Sequence, residues 1–237
     1  MTLVLGLRCR DDGVVLASDS QRTEGGLRDD RPKLFSTPSG IIWGTAGSFA
    51  IQQELHDRMT RLEPNPGRLA VRDALVAAVR DARATVTDQI DDPSPAATTI
   101  EGLFAWYSQE EGRTFLVKIL TNGHSEFAPR YDAVGSPHPR GLAGFALRAS
   151  EHMEYATLPL HAGQMVAANI AGDVIRACSS LVGFHVQVAV VDAAHAGVLP
   201  ADELTPLAHT VSAFRDHQKN FVVRDTPTEG EDTGVRP

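Results

Sequence analysis

The chain has 237 residues and a formal net charge of −8 at pH 7. This length is enough to bury a sizeable core within one domain. The acidic balance argues against nucleic acid as a partner, because phosphate binding needs a basic surface. No apolar stretch approaches the length of a membrane span, and charges from Arg8 onward interrupt the N-terminal segment too early for a secretory signal. We therefore expect a soluble, cytoplasmic protein without a membrane partner.

The chain begins with two predicted strands joined by a tight turn. Residues 3–9 and 14–18 have strand-like patterns, and Asp11-Asp12-Gly13 between them is a hairpin signal. Such a hairpin carries the N-terminus on one strand and places Asp19 at the end of the other. The polar residues 23–30 predict a loop that leads to a third extended stretch containing Lys33.

Thr2 directly follows Met1 and is small enough for methionine removal to expose it. The chain would then begin with a hydroxyl and a free α-amine on the same residue. An α-amine titrates at about 7.7–8.0, so a useful fraction is unprotonated at neutral pH and can accept the hydroxyl proton. Many proteins begin Met-Thr for no catalytic reason, so this interpretation depends on the residues that follow.

The middle of the chain predicts alternating helices and strands. Ile41-Ile42-Trp43 precedes Gly44-Thr45-Ala46-Gly47, a predicted turn of small residues where backbone amides can approach a ligand. Ser48 can cap the next helix. Apolar residues at helical spacing predict two helices here, with Ile51, Leu55, Met59 and Leu62 on the first and Leu75, Val79, Ala82 and Val86 on the second.

The remaining elements complete a layered arrangement. We predict strands at residues 103–107, 115–120, near Phe127 and at 186–190, and helices at 141–150, at 161–181 and from Thr205-Pro206 onward. This order fits an α+β fold in which two sheets pack face to face and helices cover both outer faces, an αββα sandwich. We expect one domain over residues 1–224 and a disordered acidic tail over residues 225–237.

Four elements in this order resemble the β subunits of the proteasome and HslV superfamily, the N-terminal-threonine peptidases. They are Thr2 at the start of the first strand, the Val-Val-Leu-Ala-Ser-Asp-Ser run that ends at Asp19-Ser20, Lys33, and Gly-Thr-Ala-Gly-Ser before a helix. Residues 132–136 resemble the family segment that returns a glycine-serine pair to the nucleophile. Because the chain has no extra N-terminal helix and no propeptide before Thr2, it is most similar in style to HslV or Anbu-like proteins.

The resemblance implies a role for each matching residue. Thr2 would be the nucleophile, with its own amine as base. Lys33 would hold a positive charge beside the Thr2 hydroxyl, and Asp19 would pair with Lys33 and orient it. The Gly47 amide would face the developing oxyanion, and Ser136 would help to hold the amine and a water. Considered without Thr2, Asp19 and Lys33 also fit a structural ion pair at a strand end.

The resemblance also implies a specificity pocket and exposes one departure. Arg22, Thr23, Thr45 and Phe49 fall where the family builds that pocket. An arginine there would favour an acidic side chain before the cleaved bond, and a solvated arginine is the alternative. Active family members carry an aspartate on the long helix, three residues before a Ser-Gly-Gly turn, whereas this chain has Ser179 there and only Gly183 of the glycine pair.

We therefore expect a peptidase that acts on peptides or unfolded proteins and assembles with like subunits in a ring or helical stack, with any ATPase partner left open. One alternative is an amidohydrolase of the same class acting on a small amide. The other is a non-catalytic ring subunit, which the residue at position 179 favours. A rival site using His138 or Cys178 lacks a nucleophile-elbow sequence. We expect no cofactor and no metal, because the cysteines and histidines show no metal-ligand spacing.

Overall fold

The computed structural model describes residues 2–10, 13–24, 27–63, 67–91, 94–180, 182–183 and 185–225. Within these residues the chain forms twelve strands and six α-helices. The strands are β1 (Leu3–Arg8), β2 (Val14–Asp19), β3 (Gln21–Glu24), β4 (Leu27–Asp30), β5 (Leu34–Ser36), β6 (Ile41–Gly47), β7 (Ile100–Ser108), β8 (Arg113–Ile119), β9 (Ser125–Phe127), β10 (Tyr131–Gly135), β11 (Val186–Val191) and β12 (Ala196–Val198). The helices are α1 (Phe49–Met59), α2 (Arg68–Thr87), α3 (Pro95–Thr98), α4 (Pro137–Ala149), α5 (Leu160–Ala177) and α6 (Ala201–Asp225).

Two five-stranded sheets form the centre of the molecule. One has the strand order β10-β1-β2-β11-β12, and the other has the order β5-β6-β7-β8-β9. Neighbouring strands in both sheets are antiparallel. In the first sheet Leu3 lies opposite Gly135, and Val4 lies opposite Ser18. This register brings the start of β1 beside the ends of β2 and β10.

Alternation along each strand sends side chains into different layers. In β1, Val4 lies in the cluster between the two sheets, together with Leu16 and Ile42. Its neighbours Leu3 and Leu5 point the other way, into a cluster with helices α4 and α5. A third cluster packs the opposite face of the second sheet against α1 and α2, with Trp43 and Phe104 at its centre. The result is the predicted αββα sandwich, and the fold class is confirmed.

Several predicted boundaries were wrong. The predicted turn 44–47 is part of strand β6, because these residues pair with β7. Their small size lets the two sheets approach, since a Cβ on Gly44 would lie 3.1 Å from Val4 Cγ1. The predicted loop 23–30 is part of the β3–β4 hairpin, whose first strand begins at Gln21. In the sequence, Gly25-Gly26 between the two strands is itself a two-residue hairpin signal.

The helix ends also differ from the predictions. Helix α4 begins earlier, with Pro137 in its first turn, and α5 ends at Ala177 instead of residue 181. Helix α6 begins at Ala201, so Pro206 lies within it and removes one backbone hydrogen bond near the start. Ser48 is the N-cap residue of α1, but its side chain makes no capping bond.

The boundary between the predicted domain and the predicted acidic tail falls at the end of α6. Asp225 is the last residue of α6, and residues 226–237 of the predicted tail lie outside the described residues. Among the described residues, no helix combines the length and the apolar character that a membrane crossing requires.

Candidate functional site

The candidate site lies at one end of the first sheet, where the start of β1 meets the ends of β2 and β10. Thr2 precedes β1, Asp19 ends β2, Gly47 ends β6 and Gly135 ends β10. The hairpin between β1 and β2 and the antiparallel pairing of β1 with β10 produce this convergence. Residues more than a hundred positions apart in sequence thus become neighbours.

Thr2 is held on both sides of its backbone by Ser136. The Thr2 nitrogen donates to Ser136 Oγ over 3.4 Å, and the Ser136 nitrogen donates to the Thr2 carbonyl oxygen over 2.9 Å. Gly135 adopts a φ of +140°, and a Cβ there would lie 2.2 Å from the Thr2 carbonyl oxygen. Only glycine fits this close approach, which explains the glycine in the predicted glycine-serine pair.

The Asp19 carboxylate is fully buried and surrounded by donors. Its Oδ1 accepts from the Leu3 backbone nitrogen over 2.8 Å. Its Oδ2 accepts from Lys33 Nζ over 2.8 Å and from the Gln21 backbone nitrogen over 3.2 Å. The Gly183 backbone nitrogen also donates to this carboxylate. Asp19 therefore connects Leu3, the residue after Thr2, with the buried Lys33.

Burial and pairing act in opposite directions on this ion pair. Burial raises the pKa of Asp19, while the Lys33 charge and the hydrogen bonds oppose that rise. Burial lowers the pKa of Lys33, and the negative charge of Asp19 opposes this fall. The partner's charge reduces the effect of burial on each pKa but does not cancel it. Removal of one partner would leave the other charge buried without compensation.

Gly47 has a backbone conformation that other residues rarely adopt. Its φ is +125°, and a Cβ there would lie 2.1 Å from the Thr99 carbonyl oxygen. That same oxygen accepts a hydrogen bond from the Ser48 backbone nitrogen over 2.8 Å. Glycine is thus required where β6 passes into α1, at the exposed end of the strand.

The predicted specificity residues lie in two places. Arg22 and Thr23 belong to β3, and their side chains lie outside the described residues. Thr45 is buried in β6, on the face that carries Trp43 towards the helices. Phe49 is the first residue of α1 and is 36% exposed. Thr45 and Phe49 therefore share the side of the second sheet that α1 covers.

Comparison with solved structures adds independent information about the fold. Anbu from Yersinia bercovieri, titled an ancestral β-subunit, superposes with a TM-score of 0.73 at 16% identity, over 95% of this chain and 98% of that one. Anbu from Hyphomicrobium sp. strain MC1 gives 0.71 at 16% identity, over 94% and 98%. A helical assembly of the Anbu complex from Pseudomonas aeruginosa gives 0.73 at 15% identity, over 97% and 100%.

This chain has the Anbu fold. No family model matches the sequence, and a search of curated proteins also found no match. Identities of 15 and 16% place the likeness to Anbu at the level of the fold, so the chemistry is argued from the residues of this chain.

The departure at position 179 lies beyond the last turn of α5. Ser179 is exposed in the turn that follows Ala177, so it is not on the helix as predicted. Asp173, the acidic residue nearest to it on α5, pairs with Arg176 and, over 3.3 Å, with Arg215 of α6. On the Anbu fold of this chain, Asp173 therefore links two helices.

Two contributors were missed by the sequence analysis. Gly183 was noted only as part of a glycine pair, yet its backbone nitrogen donates to Asp19 and a Cβ there would lie 2.5 Å from Gln21 Oε1. Gln187 was not considered, although it contacts the segment that carries Lys33. Its only signal is that it is a polar residue within the run Val186–Val191.

Proposed function

We propose that this chain is an N-terminal-threonine hydrolase that cleaves peptide bonds. The observation that carries the proposal is the continuous set of contacts from Thr2 to Ser136 and from Leu3 through Asp19 to Lys33. A structural ion pair at a strand end would need neither the serine nor the constrained Gly135 beside Thr2.

The mechanism begins after removal of Met1, which converts the Thr2 peptide nitrogen into an α-amine. The amine accepts the proton of the Thr2 hydroxyl as Oγ1 attacks the carbonyl carbon of the scissile bond. The resulting oxyanion would accept from the Gly47 backbone nitrogen, a contact worth about 3 kcal/mol of barrier. The ammonium then protonates the leaving amine as the C–N bond breaks, which leaves an ester on Thr2.

A water completes the cycle. The Thr2 amine accepts a proton from this water as its oxygen attacks the ester carbonyl, and the proton then returns to Oγ1 as the acid product leaves. Ser136, whose hydroxyl lies 3.4 Å from the Thr2 nitrogen, is suited to orient the amine in both halves of the cycle.

Lys33 would supply a fixed positive charge, and Asp19 would hold it in place. A cation near an amine lowers the pKa of that amine, which raises the unprotonated fraction at working pH. The same cation stabilises negative charge that develops on Oγ1. The steps described above use only groups of the chain and water for each proton transfer, so the proposed mechanism includes no metal or cofactor.

The proposed working form is an assembly of like subunits acting on peptides or unfolded proteins. The Anbu structure from Pseudomonas aeruginosa is titled a helical assembly, and the shared fold supports the same kind of stacking here. An ATPase partner would be required only if folded proteins are substrates.

A non-catalytic subunit is the second candidate function, and Ser179 favours it. In this candidate the exposed serine after α5 replaces an aspartate that supports the nucleophile in active family members. The Thr2 contacts would then be remnants of an ancestral site.

Variants at position 2 separate the two functions. We expect wild-type protein to hydrolyse fluorogenic peptides or casein, Thr2→Ser to retain activity, and Thr2→Ala to lose it. Serine and alanine both permit methionine removal, so all three chains begin at position 2 with a free α-amine. Thr205→Ala, on exposed α6, serves as a threonine control. Equal turnover by wild type and Thr2→Ala would contradict the proposal.

A further inference from the structure

The segment that carries Lys33 is not part of either sheet. Residues 31–33 lie between strands β4 and β5 and belong to neither. Pro32 has no backbone N–H, and it restricts Arg31 to an extended conformation. The Arg31 nitrogen donates to the Ser20 carbonyl oxygen over 2.8 Å. The position of the Lys33 backbone therefore depends on further partners.

One side chain, Gln187, contacts this segment with both ends of its amide. Its Oε1 accepts from the Lys33 nitrogen over 2.8 Å and from the Leu34 nitrogen over 3.3 Å. Its Nε2 donates to the Arg31 carbonyl oxygen over 3.2 Å. The same Oε1 also accepts from Ser18 Oγ over 3.4 Å.

The strand that carries Gln187 is fixed to the strand that carries Asp19. In the pairing of β11 with β2, Gln187 lies opposite Ser18 and Val186 lies opposite Asp19. Gln187 thus joins the backbone of Lys33 to the same pair of strands that positions the carboxylate. Lys33 Nζ lies 2.8 Å from Asp19 Oδ2, so the ion pair joins the same strand and segment that Gln187 joins.

We propose that Gln187 is a positioning residue, which holds the Lys33 backbone so that the lysine charge stays beside Asp19 and the Thr2 hydroxyl. This inference rests on the proposed function, although Gln187 itself acts through Lys33 and not on the substrate. A lysine side chain has four flexible carbons, so a fixed backbone is needed for a fixed charge.

Gln187→Met tests the inference, because methionine keeps the length of glutamine and removes both hydrogen-bonding ends. Gln164→Met is the matched control. Gln164 is also half-buried, but it lies near the start of α5. Its neighbour Gly163 packs against Cys9, which follows β1 at the end opposite Thr2. Gln187→Asn provides a second, milder variant with a shorter side chain.

The first readout does not depend on activity. The chain has three lysines, Lys33, Lys118 and Lys219, so protein labelled with ¹³C at lysine Cε gives three NMR signals. Single lysine-to-arginine changes at Lys118 and Lys219 assign them. We expect the Lys33 signal to move or broaden in Gln187→Met and to stay in place in Gln164→Met. An unchanged Lys33 signal in Gln187→Met overturns the inference.

The second readout is the rate of covalent modification of Thr2 by a peptide epoxyketone, followed by intact mass. We expect the maximal rate in Gln187→Met to fall roughly 10- to 100-fold, because small misplacements of catalytic groups have effects of this size. The concentration for half-maximal rate should change little, since Gln187 is not proposed to contact the inhibitor. A shifted Lys33 signal with an unchanged maximal rate overturns the positioning role. If wild-type protein is not modified at all, the proposed function fails, and the NMR readout still decides whether Gln187 fixes Lys33.

Discussion

The buried carboxylate of Asp19 and the ammonium of Lys33 stabilise each other at the residue scale. Asp19→Asn would leave the lysine charge buried without its counterion, at a cost of about 3–5 kcal/mol of unfolding free energy. Asp29→Asn breaks the exposed pair with Arg31 and should cost less than about 1 kcal/mol. Urea unfolding of both variants measures the difference. Similar losses in the two variants would contradict the assignment of Lys33 and Asp19 as a mutually dependent pair.

The thiol of Cys9 predicts a pH dependence of stability. Burial raises its pKa from the ordinary 9.0 to about 12. A folded-state pKa above the unfolded one contributes stability that is complete below pH 9.0 and is lost as the pH rises towards 12. We expect the unfolding free energy of wild type to fall more steeply between pH 9 and 11 than that of Cys9→Ala. Urea titrations at several pH values compare the slopes, and parallel slopes would contradict the prediction.

The ends of strands and helices set the geometry of the site at the element scale. Gly47→Ala would force a Cβ to within 2.1 Å of the Thr99 carbonyl oxygen in a left-handed backbone conformation. We expect it to destabilise the protein by at least about 1–3 kcal/mol and to lower hydrolysis. Gly141→Ala, in α4 with open space around it, should instead stabilise the protein by up to about 1 kcal/mol. Thermal unfolding of both variants provides the test, and a stable, active Gly47→Ala protein would contradict the account.

Local sequence patterns predicted the elements better than their ends. The apolar spacing of Ile51, Leu55 and Met59 depends only on neighbouring turns of one helix, and α1 was predicted correctly except that Leu62 lies beyond its end at Met59. The strand character of residues 44–47 depends instead on their pairing with β7, about 55 residues later in sequence, which no local pattern contains. The β3–β4 hairpin was missed because charged residues in both strands outweighed the two glycines between them.

The same distinction applies to the site. Thr2, Asp19, Lys33 and Ser136 were predicted from short motifs in a fixed order, and the structure brings them together. Gln187 lies 154 positions from Lys33 in sequence, so its contact arises only when β11 pairs with β2. The catalytic roles of Thr2, Asp19, Lys33 and Ser136 stay predictions.

The layered architecture leads to a prediction at the scale of the whole molecule. If like subunits assemble as proposed, light scattering should give a mass several times the 25.5 kDa of one chain, and electron microscopy should show rings or helical stacks. Gly141→Ala, a substitution with open space around it, should give the same mass as wild type. A monomer at micromolar concentration and physiological salt would contradict the proposed assembly.

The central claim is that Thr2 becomes a working N-terminal nucleophile, and intact-mass analysis tests it most directly. Purified protein is weighed before and after incubation with a peptide epoxyketone, an electrophile that needs both the threonine hydroxyl and its free α-amine. The account predicts loss of Met1 and then one inhibitor per chain, located on Thr2 by fragmentation and absent in Thr2→Ala. Retention of Met1 in the purified protein, with no adduct on Thr2, would contradict it and favour the non-catalytic subunit.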